Sequence, residues 1–212
     1  MNLNQEFEKQ VATLVSKGYP KLAQLSDDSF KQSLSILEKM LPKDLDVEID
    51  LEKGTLPFVV VVKNSLVQAE QAMALIEKNG KQGITKLFPH TSTSFNTISE
   101  VEIPSSDIYL LINIDRGKEN INLPPNEAMT VIKQSNRSPL TIDEGIAIVT
   151  HYPEFLIKNN CFSLLASRHE GDQRVPAIWI NGQKQPNLGW CWDGNPHTWL
   201  GSASCKERVG IS

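Results

Sequence analysis

Residues 44–52 carry the most regular pattern in the chain, Asp-Leu-Asp-Val-Glu-Ile-Asp-Leu-Glu, in which acidic and aliphatic residues alternate without interruption. Successive side chains of a β-strand point to opposite faces, so this order places the aliphatic side chains on one face and five carboxylates on the other. The turn sequence Lys53-Gly54-Thr55 follows, and residues 56–62 form an apolar run of strand length. The sequence therefore predicts a β-hairpin over residues 45–62, with its acidic face in solvent.

Two helical patterns precede this hairpin. Residues 3–14 place apolar side chains at spacings of four, four and three, which is typical of one face of a helix. Residues 30–41 repeat the pattern behind Ser26, a residue type that caps helix N-termini. We therefore expect an N-terminal helical pair over residues 1–42.

The rest of the chain alternates between helical and strand-like segments. Thr141 and Glu144 form a capping-box pattern, and Gly145 in the following turn indicates a close approach by another strand or by a ligand. Residues 81–104 lack periodicity and predict a long loop, while Asn181-Gly182 predicts a hairpin turn with positive φ. The remaining predicted segments are helices within 65–79 and 125–150, and strands at 108–114, 161–166 and 175–180.

The predicted fold class is α+β. We expect a mostly antiparallel sheet built from the 45–62 hairpin, the 108–114 strand and the 161–180 pair, with helices on one face. A chain of 212 residues is long enough for one substantial core. We predict a single domain over 1–212, with a helical lead segment at 1–42, an α+β body at 43–205 and a flexible tail at 206–212.

Composition argues against several classes of protein. The formal net charge is −4 and no long cationic run is present, so we expect no nucleic-acid partner. No apolar stretch reaches the length of a membrane span, and the N-terminal pattern is amphipathic rather than that of a signal peptide. Three cysteines without an export signal predict reduced thiols and a cytoplasmic location. No cofactor is predicted.

Chemistry-bearing residues concentrate near the C-terminus. All four tryptophans lie within residues 179–199, and all five arginines lie in the second half of the chain. Indole and guanidinium groups offer flat faces that stack on planar ligands, and His or Asn side chains add hydrogen bonds. We therefore predict a small-ligand pocket, with catalysis left undecided. The candidate ligand-binding residues are Asp115, Arg116, His151, Arg168, Arg174, Trp190, Trp192, Asp193, Asn195, His197 and Trp199.

A structural or interaction module is the alternative from another class. Four tryptophans among glycine and proline also suit an irregular core without a small-molecule site. That alternative predicts four buried indoles and no adjoining cleft. A ligand pocket instead predicts a partly exposed Trp190, Trp192 or Trp199 in a concave surface, beside an arginine or His197.

A zinc-stapled module is a lesser alternative. Thiolate and imidazole are the preferred ligands of zinc, but the chain contains no closely spaced pair that would seed a site. The lead candidates are Cys161, Cys191, His197 and Cys205, with His151 and His169 as additional imidazoles.

Nucleophilic catalysis is a further alternative. Cys191 would be activated by His197 or His151, with Asp193 or Asn195 orienting the imidazole. The two flanking tryptophans favour burial of the thiol over its activation. A hydrolase built from Asp115, Glu144 and His151 has suitable residue types but no supporting spacing.

Several motifs occur in a fixed order between residues 107 and 205. With them the chain resembles an uncharacterised bacterial family, known as a domain of unknown function. The resemblance implies no activity, cofactor or catalytic residue. The motifs are Tyr109-Leu110-Leu111, Asp115-Arg116-Gly117, Pro139-Leu140-Thr141, Glu144-Gly145-Ile146-Ala147, Thr150-His151, Cys161-Phe162, Arg174-Val175-Pro176-Ala177, and the segment from Gly189-Trp190-Cys191-Trp192 through Gly194-Asn195-Pro196-His197-Thr198-Trp199-Leu200-Gly201 to Cys205.

Overall fold

The fold is known from a computed structural model, which describes residues 2–46 and 48–211. The helices are α1 (Leu3–Ser16), α2 (Tyr19–Leu22), α3 (Asp27–Glu38), α4 (Ala69–Leu75), α5 (Pro125–Gln134) and α6 (Ile142–His151). The strands are β1 (Thr55–Val62), β2 (Glu77–Lys78), β3 (Lys81–Gln82), β4 (Ile84–Thr85), β5 (Asn96–Thr97), β6 (Ile108–Asp115), β7 (Ser138–Pro139), β8 (Cys161–Ser163), β9 (Ser167–Arg168), β10 (Arg174–Ile180), β11 (Pro186–Trp192), β12 (Leu200–Ser202), β13 (Ser204–Cys205) and β14 (Glu207–Val209).

The first sheet has the order β1-β6-β13-β7, and β14 also pairs with β6. All of its pairings are antiparallel. In the longest of them Thr55 lies opposite Asp115 and Val62 opposite Ile108. The side chains of β1 are buried almost throughout, as the apolar run at 56–62 predicts.

The second sheet has the order β12-β8-β10-β11-β4. Strand β10 runs antiparallel to β8 and β11, whereas β12 and β4 add parallel pairings at the two edges. The α+β class is confirmed, but the prediction of one sheet is wrong, because the 161–180 pair belongs to a different sheet from β1 and β6. Strand β10 pairs with β11, which follows it after a short turn, because closing a short loop costs little conformational entropy.

Helix α6 contacts both sheets. It packs against β1 of the first sheet and against β10 of the second. A Cβ atom at Gly145 would lie 2.5 Å from Leu164 and 3.2 Å from Ile178, so glycine permits the close approach that its position predicts. With a sheet on each side of α6, the helices do not cover one face of a single sheet.

Residues 44–52 differ from their prediction. Among the described residues of this segment, the only β pairing is the isolated bridge between Asp50 and Thr55; Val47 lies outside the described residues. Aspartate side chains bind the local backbone instead. Asp46 accepts from the Glu48 amide at 3.2 Å and Asp50 from the Lys53 amide at 2.8 Å. Such bonds compete with a strand ladder, which is why the alternation does not produce a strand here.

Two predicted boundaries also change. The helix expected within 65–79 covers only α4, because the amide of Ala69 is capped by Asn64 at 2.7 Å and the chain then forms the β2–β3 hairpin. The turn between β10 and β11 has its positive φ at Lys184, not at Asn181-Gly182.

Part of the expected flexible tail at 206–212 forms strand β14. Strand β14 pairs with β6 there, with Arg208 opposite Leu111, and residue 212 lies outside the described residues. The reason is Arg208, whose side chain is almost fully buried and holds the strand in place.

A buried ion pair between Glu144 and Arg208 connects α6 with β14. The carboxylate accepts from Arg208 Nε at 2.5 Å and Nη2 at 2.9 Å, and also from the hydroxyl of Tyr109 at 2.8 Å. Arg208 Nη2 also donates to the carbonyl of Pro139 at 2.7 Å. Every ionised atom therefore has a partner, as a buried charge requires.

Strand β1 lies at the edge of the first sheet, and side chains cover its free edge. Gln10 of α1 donates to the carbonyl of Phe58 at 3.1 Å and accepts from the amide of Val60 at 2.8 Å. His151 at the end of α6 donates through Nε2 to the carbonyl of Val60 at 2.9 Å. Three backbone groups of this edge strand are thus satisfied without another strand.

None of the helices in the described residues combines the length and the apolar composition that a membrane span requires.

Replacing Arg208 by methionine should lower the free energy of unfolding by about 3–5 kcal/mol, because Glu144 would remain charged and unpaired in the core. Urea denaturation measures the difference. The matched control is Lys133→Met, which breaks the exposed Lys133–Glu100 pair at 3.4 Å and should cost less than about 1 kcal/mol. Equal costs for the two variants would contradict a stabilising role for the buried pair.

Stability should also depend on the protonation of His151. Burial lowers the pKa of His151 from 6.5 to about 4, and the charges of Lys17 and Lys9 add to the effect. Between these pH values the unfolded chain binds a proton that the folded chain does not. The His151 contribution is therefore fully present above pH 6.5 and is lost as the pH falls towards 4, by about 3 kcal/mol in total.

His151→Gln isolates this contribution, since glutamine keeps a donor for Val60 and removes the titration. The comparison is needed because burial raises the pKa of Asp143 from 3.8 to about 6, which has the opposite effect over the same range. Denaturation curves across this range should show the wild type losing stability more steeply than the variant. Parallel pH profiles would rule out the assignment to His151.

Candidate functional site

A cavity of about 300 Å³ lies against the β10–β11 hairpin of the second sheet. Its walls come from β10, from β11 and from the segment that leads into β12. All four tryptophans of the chain contribute to it, and none of them is fully buried. The described lining residues are Trp179, Trp190, Cys191, Trp192, Asn195, His197, Trp199 and Leu200.

Gly189 makes room for the indole of Trp179. These residues lie on adjacent strands, and a Cβ atom at Gly189 would come within 2.2 Å of Trp179 Cη2. The Trp179 ring meets Trp199 edge to face, with centroids 6.1 Å apart, and the imidazole of His197 lies 5.2 Å from Trp199. Edge-to-face contacts of this kind hold aromatic walls in fixed orientations.

The segment carrying His197 is fixed by its backbone. The amide of Asn122 donates to the carbonyl of His197 at 2.9 Å, and the amide of Asn126 donates to the carbonyl of Asp193 at 3.1 Å. Asp193 in turn donates its amide to the carbonyl of Gln173 at 2.9 Å. The loop therefore has a defined position over the hairpin.

His197 is the polar group of the cavity that lacks a partner. Its Nε2 atom is buried and forms no hydrogen bond within the described residues. Burial lowers the pKa of His197, which favours the neutral imidazole near neutral pH. A neutral ring can donate from one nitrogen and accept at the other. The cavity thus combines aromatic walls with one imidazole whose buried Nε2 atom has no hydrogen-bond partner among the described residues.

Arg174 lies between Trp190 and Trp192, with its guanidinium carbon 4.6 and 4.8 Å from the two ring centroids. Its Nη1 atom pairs with Asp172 Oδ2 at 2.5 Å. The pairing with Asp172 holds the guanidinium in place, and its contacts with Trp190 and Trp192 orient these two indoles at the rim of the cavity. Since its charge is already balanced by Asp172, Arg174 supports the cavity without lining it.

Arg168 is arranged in the same way. It pairs with Asp193 Oδ2 at 3.3 Å, next to the loop that carries His197. The structure therefore places Arg168, Arg174 and Asp193 around the cavity, and Trp190, Trp192, Asn195, His197 and Trp199 in its wall.

Three candidates lie elsewhere among the described residues. Arg116 is fully buried and donates to the backbone carbonyls of Leu51, Glu52 and Phe155. Asp115 accepts from the amide of Gly117 at 2.6 Å, and His151 lies beneath β1. Their polar atoms serve turns and an edge strand, so the structure does not bring them to the cavity.

The three cysteines are free and buried. Burial raises the pKa of Cys161 and Cys191, and it raises that of Cys205 to about 12. A thiol held in its protonated form is a poor nucleophile and a poor zinc ligand. The described residues contain one group of three adjoining potential metal ligands, and none of Cys161, Cys191, Cys205 and His197 belongs to it.

A second cavity of about 300 Å³ lies at the start of α6. Asp143 lines it together with Asn64, Ser92 and Ser167, and its carboxylate accepts from the amide of Asn64 at 3.0 Å. Burial raises the pKa of Asp143 to about 6. Sequence reasoning missed this residue, because an acid in the first turn of a helix is ordinarily explained by the helix dipole.

The fold and the cavity define an α+β protein with a tryptophan-walled recess and buried thiols. Over residues 13–211 the chain matches a family described as a family of unknown function (DUF5701), and it belongs to that family. The predicted membership of a family of unknown function is thereby confirmed, over a longer range than residues 107–205. No curated protein and no solved structure matches the chain.

Gly189→Ala should displace the Trp179 ring and lower the free energy of unfolding by about 1–3 kcal/mol, because the added methyl group has no space. The tryptophan emission spectrum should change at the same time. Gly182→Ala is the matched control, since a Cβ there meets nothing within 4 Å, and its effect should stay within about 0.5 kcal/mol. An unchanged spectrum and stability in Gly189→Ala would contradict the packing of Trp179 on this glycine.

Proposed function

We propose that the protein binds a small molecule with a flat, largely apolar face in the cavity walled by its tryptophans. The proposal rests on one observation: four indoles and the imidazole of His197 line the same recess, and the Nε2 atom of that imidazole has no hydrogen-bond partner among the described residues. A volume of about 300 Å³ is at the lower end of the range for ligand pockets.

The unpartnered nitrogen supports ligand binding on energetic grounds. A buried polar atom without a hydrogen bond costs about 1–3 kcal/mol. Rotation of the imidazole would turn Nε2 towards a ligand hydroxyl, carbonyl or ring nitrogen in the cavity and remove this cost, while the flat face of the ligand stacks on indole. The class of ligand is therefore a single planar ring, or a sugar face, that carries one or two polar substituents.

The charge distribution argues against a strongly anionic ligand. Arg168 and Arg174, the cations nearest the tryptophans, are already paired with Asp193 and Asp172. An anion would have to displace a carboxylate to reach either of them. We assign no reaction, because burial keeps the Cys191 thiol protonated and away from nucleophilic chemistry.

The alternative of a core without a small-molecule site fits the exposure of the tryptophans less well. Trp192 is 40% exposed, and Trp179, Trp190 and Trp199 are each partly exposed beside the recess. An indole that serves only as core is ordinarily enclosed.

We also propose that the protein is located in the cytoplasm. Three free cysteines are retained without a disulfide, which supports a reducing environment such as the cytoplasm.

Labelling with 5-fluorotryptophan provides a test that reports the position of the ligand. Fluorine NMR would follow the four indole signals, assigned by single Trp→Phe variants, during titration with phenols, aromatic acids, nucleosides and monosaccharides. A ligand in the cavity should shift the Trp179 and Trp199 signals in a saturable way, because these rings meet beside His197. Saturable binding that leaves all four signals unmoved would place the site elsewhere.

His197→Phe then separates ligand binding from packing. Phenylalanine keeps the ring beside Trp199 but removes both nitrogens, so affinity should fall about three- to tenfold with little change in stability. Thr198→Val is the matched control, because this neighbour is exposed and does not line the cavity within the described residues. Equal affinity in the two variants would contradict the role given to His197.

A further inference from the structure

Two histidines and an aspartate meet outside the tryptophan cavity, where the loop before β5 reaches the turn before β10. They are His90, His169 and Asp172. Each offers one potential ligand atom, and the three atoms lie within 4.8 Å of one another. The side chains of His90 and Asp172 are 16% and 13% exposed, so the group is sheltered but open to solvent. We propose that these residues form a binding site for a divalent transition-metal ion.

The imidazole of His169 is already oriented as in a metal ligand. Its Nδ1 atom lies 2.9 Å from the backbone carbonyl of Glu170. A carbonyl only accepts, so Nδ1 carries a hydrogen, and in the neutral ring Nε2 then has the free lone pair. Histidine ligands of metals commonly have this arrangement, in which a backbone carbonyl fixes the tautomer.

His90 and Asp172 supply the other two ligands. His90 Nε2 donates to Asp172 Oδ2 at 2.8 Å. A metal ion takes the place of this hydrogen between the imidazole and the carboxylate, and the proton moves to Nδ1 of the same ring. Zinc ligands at about 2.0–2.2 Å from the metal lie about 3.4 Å from one another. The His90–Asp172 pair at 2.8 Å therefore has to open by about 0.6 Å, while the other separations, which are at most 4.8 Å, close by up to about 1.4 Å; side-chain rotation provides both changes.

The backbone around the three residues is held in place. Strands β5 and β9 pair beside them, with Asn96 opposite Arg168 and Thr97 opposite Ser167. The imidazole rings of His90 and His169 stack with centroids 4.2 Å apart. The ring of Phe95 meets both edge to face, at 5.7 and 6.4 Å. With the backbone already in place, ion binding requires only that the imidazole side chains rotate out of this stack, which limits the entropy lost on binding.

Arg174 holds the Asp172 carboxylate in a fixed orientation. Its amide donates to Asp172 Oδ1 at 2.7 Å, and its Nη1 atom donates to Oδ2 at 2.5 Å. A carboxylate has about four lone-pair positions, so it can accept these bonds and still bind a metal. The cation weakens the attraction for a metal ion but fixes the direction of the ligand, as hydrogen bonds to ligating carboxylates commonly do.

The ligand types select the class of metal. Two imidazoles and one carboxylate suit zinc, cobalt, nickel or copper, whereas magnesium and calcium prefer ligands that are all oxygen. Three protein ligands leave a fourth position for water. None of the three ligands lines the tryptophan cavity, although Asp172 shares Arg174 with its rim. Absence of metal binding would therefore leave the proposed ligand binding untouched.

Titration of tag-free protein with Co²⁺, followed by visible absorption, and with Zn²⁺, followed by calorimetry, tests the proposal. We expect saturable binding of one ion per chain. The double variant His90→Ala with His169→Ala should weaken binding by at least about a hundredfold, and Asp172→Asn by at least about tenfold. Circular dichroism would check that each variant is folded.

The matched controls are His151→Gln and Glu170→Gln. The first changes a histidine outside the group, and the second removes a neighbouring carboxylate whose side chain is outside it. Both should keep the wild-type affinity. Absence of saturable binding by the wild type would overturn the proposal, as would binding that persists undiminished in the folded double variant or falls equally in the controls.

Discussion

The buried ion pair of Glu144 and Arg208 is the interaction on which the arrangement of the two sheets depends. It fixes α6 to β14, and β14 completes the first sheet beside β6. The neighbouring face of α6 contacts the second sheet, because Gly145 lets Leu164 and Ile178 approach the helix axis. One helix therefore connects the buried ion pair to the sheet that carries the tryptophan hairpin. Replacing a buried ion pair by apolar residues of similar volume often preserves stability. The pair is therefore better understood as a determinant of geometry than as a net source of stability.

Local patterns predicted much of the secondary structure but not the sheet arrangement. The apolar runs of β1 and β6 and the capping box at Thr141 have a strong signal within a few residues, and the structure contains these elements where expected. The division into two sheets depends on pairings between distant segments, which periodicity does not encode. For residues 44–52 a local pattern gave a wrong prediction. The acidic and aliphatic residues do alternate, but aspartate side chains bind the local backbone, and these bonds compete with the backbone pairing of a β-strand.

The candidate site was predictable in composition only. The density of tryptophan pointed to the right segment, but whether the rings enclose a core or a recess depends on the register that sets Gly189 beneath Trp179. Arginine was chosen as a ligand-binding residue for its planar charge, and Arg116 shows that the same property serves buried backbone carbonyls. Sequence patterns do not indicate His90, because it lies in a loop far along the chain from His169; the β5–β9 pairing and the contacts of Phe95 bring the two histidines together in the fold.

The cover that α1 provides over the edge of β1 has a consequence for solubility. Strand β1 is apolar along nearly its whole length, and without Gln10 its free amides and carbonyls would be available to another chain. An uncovered, uncharged edge of this kind is a template for intermolecular β pairing and aggregation. Gln10 lies before residue 13, where the family match begins. A fragment trimmed to the matched region would lose Phe7 from the core together with Gln10, and would expose the edge of an apolar strand.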